Sequence, residues 1–89
     1  MEIAELKRAR AVPTPTVPLP APLPVQRAIA KLGNDLALAR RRRRISQQSL
    51  AIRIGASVST VKRMEKGDMR VPLHFIARSL HVFGELDRL

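Results

Sequence analysis

The sequence predicts an all-α domain carried behind an extended, proline-rich N-terminal arm. Three observations predict it. From residue 25 onward apolar residues recur in steps of three and four, the spacing of one helix face. Six of the seven prolines fall between Pro13 and Pro24. No stretch shows the strict apolar–polar alternation of a half-buried strand. At 89 residues the chain holds one small domain at most.

The arm is assigned to residues 1–24. Val17 to Pro24 reads V-P-L-P-A-P-L-P, with proline at every second position. Each ring fixes its own φ, removes a backbone donor and pushes the residue before it toward extended geometry. Met1 to Arg10 has the pattern of two helical turns, with Ile3 and Leu6 on one side, too short to stand alone in water. Two readings of the arm stay open: a solvated tail, or a segment that orders on a partner protein.

The domain is assigned to residues 25–89, as four to five helices. The first spans about 25–43 on Ile29, Leu32, Leu36 and Ala39, with a possible break at Gly33-Asn34, where glycine costs about 1 kcal/mol relative to alanine. Ser46 is placed to cap the second helix. Leu50, Ala51 and Ile54 are its apolar face, and Gly55 its left-handed stop. Ser57 opens the third helix in the same way; Val61 and Met64 face inward and Lys66-Gly67-Asp68 ends it. The fourth runs from about Pro72 to Phe83, with Leu73, Ile76, Ala77 and Leu80 as its core face and Gly84 as its stop.

Charge narrows the function classes. Seventeen Lys and Arg against seven Asp and Glu give a formal net charge of +10, which points to a polyanionic partner. There is no cysteine, hence no disulfide framework, thiol nucleophile or cysteine-based zinc site. His74 and His81 lie seven apart without converging carboxylates, so no metal or cofactor is expected. No nucleophile constellation or phosphate-cradling glycine loop is present either, and the chain does not read as an enzyme. No apolar window is long enough to cross a bilayer, and no signal-peptide pattern opens the chain; the expected location is cytoplasmic, at the nucleoid. Phe75 and Phe83 are the only aromatics, which argues against base stacking on single strands.

Two short helices joined by Gly55-Ala56-Ser57 have the proportions of a helix-turn-helix, whose second helix lies in the major groove of duplex DNA. Arg40 to Arg44, Arg53, Lys62, Arg63 and Lys66 face Glu65 as the single acid in that stretch. Such a concentration is the electrostatic footprint of duplex binding. Ser57, Val58, Ser59 and Thr60 form the start of the recognition helix. The base-contact candidates are Ser57, Val58, Ser59 and Arg63: serine hydroxyls donate or accept, valine packs on a thymine methyl, and a guanidinium engages guanine O6 and N7 bidentately. The phosphate-contact candidates are Arg43, Arg44, Ser46, Thr60, Lys62 and Lys66. The five-arginine run also reads as a solvated face suited to a helix C-terminus. Phe75, Val82, Phe83, Leu86 and Leu89 make the C-terminal end apolar around more of its circumference than a monomer needs. They are assigned to a homodimer seam, which would set two recognition helices about 34 Å apart on a palindromic operator.

The run from Ser46 to Gly67, S-Q-Q-S-L-A-I-R-I-G-A-S-V-S-T-V-K-R-M-E-K-G, resembles the lambda-repressor-like (Xre-type) helix-turn-helix regulators, with Gln47, Leu50, Ala51, Gly55, Val61, Glu65 and Gly67 at matching offsets. The resemblance covers about residues 32–84. It implies a compact lambda-repressor-like fold, base contacts from the positions of Val58, Ser59 and Arg63, a phosphate contact from that of Gln47, and a structural salt bridge between Arg40 and Glu65. Many members carry a longer polar side chain at position 58. The run L-A-R-R-R-R-R-I-S-Q, followed by a last helix ending L-H-V-F-G-E-L-D-R-L, is similar to the HipB-type antitoxins. It implies an autorepressor with a HipA-like kinase toxin as partner. The alternative is a stand-alone Xre-type regulator with no toxin.

Overall fold

The computed structural model describes residues 20–88; the expected arm up to Leu19, and Leu89 of the expected seam, lie outside the described residues. Among the described residues there are four α-helices and no strand: α1 (Leu23–Arg42), α2 (Gln47–Ile54), α3 (Val58–Glu65) and α4 (Leu73–Val82), followed by a short 3-10 turn at Leu86–Arg88. None of them is long and apolar enough to cross a membrane.

α1 begins at Leu23, inside the last residues of the expected arm. Pro22 is its N-cap and Pro24 sits in its first turn, where a missing N–H costs nothing because no intrahelical acceptor exists there. The helix then runs without a break through Gly33. The break left open at Gly33-Asn34 does not occur, and the glycine serves packing instead: a β-carbon there would lie 2.6 Å from the Met64 carbonyl oxygen and 2.8 Å from that of Glu65. α1 thus rests directly against the C-terminal end of α3.

Side-chain caps start the two short helices. The Ser46 hydroxyl accepts from the Ser49 N–H and the Ser57 hydroxyl from the Thr60 N–H, each satisfying one orphan donor of a first turn. Between them Gly55 takes φ 72°, and the Ala56 N–H returns to the Ala51 carbonyl at 2.9 Å. This fixes the turn between α2 and α3. At the end of α1 the same left-handed position is held by Arg44, at φ 55°.

The core is Leu36, Leu50, Ala51, Ile54, Val61, Met64, Val71 and Phe83, drawn from α1, α2, α3 and the two residues that flank α4, whose Phe75, Ile76, Leu80 and Val82 pack against it half-buried. Leu73, expected on the core face of α4, is 78% exposed. It occupies the first turn of α4, and the core seat at that level goes to Val71, just ahead of Pro72. The most buried side chain of α4 is Ser79, whose hydroxyl donates to the Phe75 carbonyl at 2.8 Å. That bond back to its own helix is what lets a hydroxyl sit in an apolar core.

Candidate nucleic-acid interface

The pairing of Arg40 with Glu65 sets the geometry of the interface. Arg40 Nε donates to Glu65 Oε2 at 2.7 Å and Nη2 to Oε1 at 3.1 Å, while Nη1 donates to the Ile45 carbonyl at 2.9 Å. Gln47 Nε2 donates to Glu65 Oε1 at 2.9 Å. One buried carboxylate therefore joins the C-terminal end of α1, the first residue of α2 and the last residue of α3. Among the described residues no buried side-chain polar atom lacks a partner, the condition under which a buried ion pair is tolerated. The Gln47 amide, expected to reach phosphate, has one of its donors committed to this network.

α3 is two-faced. At about 100° per residue, Ser59, Lys62, Arg63 and Lys66 fall on one side, and all four are exposed. Thr60, Val61 and Met64 fall on the other and are buried. Two expectations are corrected here. Thr60, a phosphate candidate, is only 8% exposed, because the turn that presents Ser59 outward carries the next residue inward. Val58, a base-contact candidate, is half-buried and packs against the core, leaving little of it to meet a thymine methyl. Ser57 is exposed, but its hydroxyl is engaged as the cap.

The arginine run divides by helical phase. With Arg40 turned inward to Glu65, Asn34, Ala37 and Arg41 form one flank of α1, and Leu32, Leu36, Ala39 and Arg43 the other. The first flank borders a groove that Arg41 shares with Gln47, Lys62, Glu65 and Lys66. Arg41, not singled out among the phosphate candidates, thus stands beside the cationic face of α3. The phase relative to Arg40 is a signal in the sequence that identifies it. Arg43 faces the other way and is corrected as a phosphate candidate. Its Nη1 donates to the Ala39 carbonyl at 2.9 Å and its Nη2 to the Phe83 carbonyl at 2.8 Å. Its guanidinium lies 5.2 Å from the Phe83 ring centroid and 3.6 Å from Glu85. Arg43 closes the C-terminal end of the domain. Arg44 and Ser46 are exposed at the turn before α2.

Immediately after α3, Asp68 holds the following loop in shape. Its Oδ1 accepts from the Arg70 N–H at 2.8 Å and from Arg70 Nε at 3.3 Å. These bonds, the backbone one foremost, hold its carboxyl below the usual carboxylate range.

Of the residues assigned to a dimer seam, Phe83 is 4% exposed and belongs to the chain's own core, under Arg43. It has almost no surface to offer a second copy. Phe75 and Val82 are half-buried against the same core, and Leu86 is exposed.

No curated protein and no solved structure matches the chain. A family model described as a helix-turn-helix domain matches residues 31–89. That stretch takes in α2, the Gly55 turn and α3, together with most of α1 and all of α4, and the chain belongs to the helix-turn-helix domain family.

Proposed function

We propose that the protein is a sequence-specific duplex-DNA-binding transcriptional repressor that acts as a homodimer on a palindromic operator. The observation that carries this reading is the one-sided face of α3. Ser59 and Arg63 lie one turn apart on it, flanked by Lys62 and Lys66, with Arg41 across the adjoining groove. Arg63 reads guanine from the major groove. Arg41, Lys62 and Lys66 meet phosphates to either side and set the register of the helix. Ser46 and the free N–H groups at the start of α2 add a further phosphate contact. Two such domains related by a two-fold axis read two half-sites about one DNA turn apart. Leu86 and the half-buried Phe75 and Val82 supply the shared surface.

The test is selection of duplexes from a random pool, followed by gel shift of the selected duplex against a scrambled one. A palindromic consensus bound about 10³-fold or more above the scrambled duplex, on the order typical of specific sites, is the expected outcome. Equal binding of both duplexes rejects the reading.

The narrower reading, antitoxin and autorepressor of a toxin–antitoxin operon, rests on the similarity of the five-arginine turn and the last helix to HipB-type proteins. Its test is co-purification with a kinase-like protein encoded next to this gene, with and without residues 1–24. A stable complex that needs those residues supports it. No complex leaves the stand-alone regulator.

A further inference from the structure

We propose that Thr60 is a positioning residue for base readout: its buried hydroxyl fixes the Arg63 guanidinium in the orientation that engages guanine. This inference rests on the duplex-binding reading above and goes beyond it by naming what aims the reading side chain. Arg63 is exposed on α3, yet its Nη2 donates to Thr60 Oγ1 at 3.2 Å. Thr60 Oγ1 in turn lies 3.0 Å from Ser57 Oγ, which also accepts the Thr60 N–H at 3.1 Å. The N-cap of the helix, a buried threonine and the exposed arginine thus form one chain of hydrogen bonds over nearly two turns.

Chemistry gives this chain a purpose. A free arginine side chain carries several rotatable bonds, and ordering it at an interface costs affinity for every duplex position it must read. Thr60 is held by its own burial and by the Ser57 hydroxyl, so its oxygen is a fixed acceptor. It uses one of the five guanidinium N–H donors and leaves four, including a paired edge, for guanine O6 and N7. A valine in its place would keep the β-branched shape and lose the hydroxyl that meets Arg63 and Ser57, while the backbone cap from the Thr60 N–H to Ser57 stays.

The experiment measures discrimination by the full chain between a duplex selected from a random pool and the same duplex with its contacted guanine exchanged for adenine. Thr60→Val should reduce that discrimination by about 3- to 10-fold, as expected for a side chain that must now be ordered on binding. Affinity for scrambled duplex and the salt slope should stay unchanged. Thr60→Ser, which keeps the hydroxyl, should restore discrimination. In an Arg63→Ala background Thr60→Val should have no further effect. Side-chain ¹⁵N relaxation of Arg63 Nε in the free protein supplies a readout without DNA: its mobility should rise in Thr60→Val and not in Thr60→Ser. Undiminished discrimination in Thr60→Val, equal loss on all duplexes, or equal loss with alanine at position 63 would overturn the proposal while leaving the duplex reading standing. A wild-type chain that prefers no duplex would overturn both.

Discussion

Gly33 on α1 lies so close beneath Met64 at the end of α3 that an added β-carbon would sit 2.6 Å from the Met64 carbonyl oxygen. Real β-carbons do not come that near, and the obstacle is backbone, which cannot swing aside as a flexible side chain would. Alanine has the better helix propensity by about 1 kcal/mol, whereas overpacking a tight contact costs about 1–3 kcal/mol. The clash should win. Gly33→Ala is therefore expected to lower stability by about 1–2 kcal/mol in urea or thermal unfolding. A stabilised variant would mean that α1 and α3 are not in contact there.

The buried Arg40–Glu65 pair should show the asymmetry of a desolvated ion pair. Glu65→Ala leaves a guanidinium and the Gln47 amide without their partner, at a cost of about 3–5 kcal/mol. For a domain whose total stability is on the order of 0.1 kcal/mol per residue, that removes a large share of the folding free energy and lowers the melting temperature accordingly. The double replacement Arg40→Met with Glu65→Leu should cost less than Glu65→Ala alone, because no charge is then stranded. Thermal melts by circular dichroism distinguish the two. A double variant less stable than Glu65→Ala would contradict the assignment.

Arg41 and Arg43 are two residues apart in one arginine run and should behave as opposites. Arg43→Ala removes the bonds to the Phe83 carbonyl and the cover over its ring. It should lower stability by about 1–2 kcal/mol with duplex affinity retained by the folded protein. Arg41→Ala should leave the melt unchanged and weaken all duplexes alike. It should also reduce the slope of log affinity against log salt by about 0.9 for each phosphate left without its cation. Parallel melting and salt titrations of the two variants check this. The reverse pattern would return Arg43 to the phosphate backbone.

The contrast between those arginines also shows what was legible in the residues alone. The caps at Ser46 and Ser57, the Gly55 turn and the spacing of Leu50, Ala51, Val61 and Met64 are local signals, and they fold as local rules require. Positions governed by tertiary packing were less visible. Gly33 looks like a helix breaker until Met64 is brought over it, and Thr60 looks like a solvent-facing polar residue until its turn is buried. Phe83 looks like surplus surface until Arg43 folds over it. Leu73 falls on a core stripe by periodicity, but its place in the first turn of α4 puts it beyond the core. For Gly33 and Phe83 a second element decides, and sequence spacing within one helix carries no record of it.

Asp68 should titrate low. Its carboxyl accepts the Arg70 N–H and guanidinium, bonds that favour the charged form. The folded-state value is therefore depressed below the unfolded one, near about 3.9. Its contribution to stability is present above that pH and is lost as the pH falls through the folded-state value. Carboxyl ¹³C NMR should place the Asp68 midpoint below about 3.9, and Asp68→Asn should flatten part of the acid limb of a stability–pH curve. A midpoint at or above that value would contradict the turn geometry.

Methylation interference tests the exposed face of α3 most directly. On the selected duplex, methylating guanine N7 places a group in the major groove where Arg63 is expected to dock, and should block binding at one guanine in each half-site. Arg63→Ala should be indifferent to the same methyl groups. Interference confined to adenine N3, on the minor-groove side, or interference at guanine that persists in Arg63→Ala, would contradict the account.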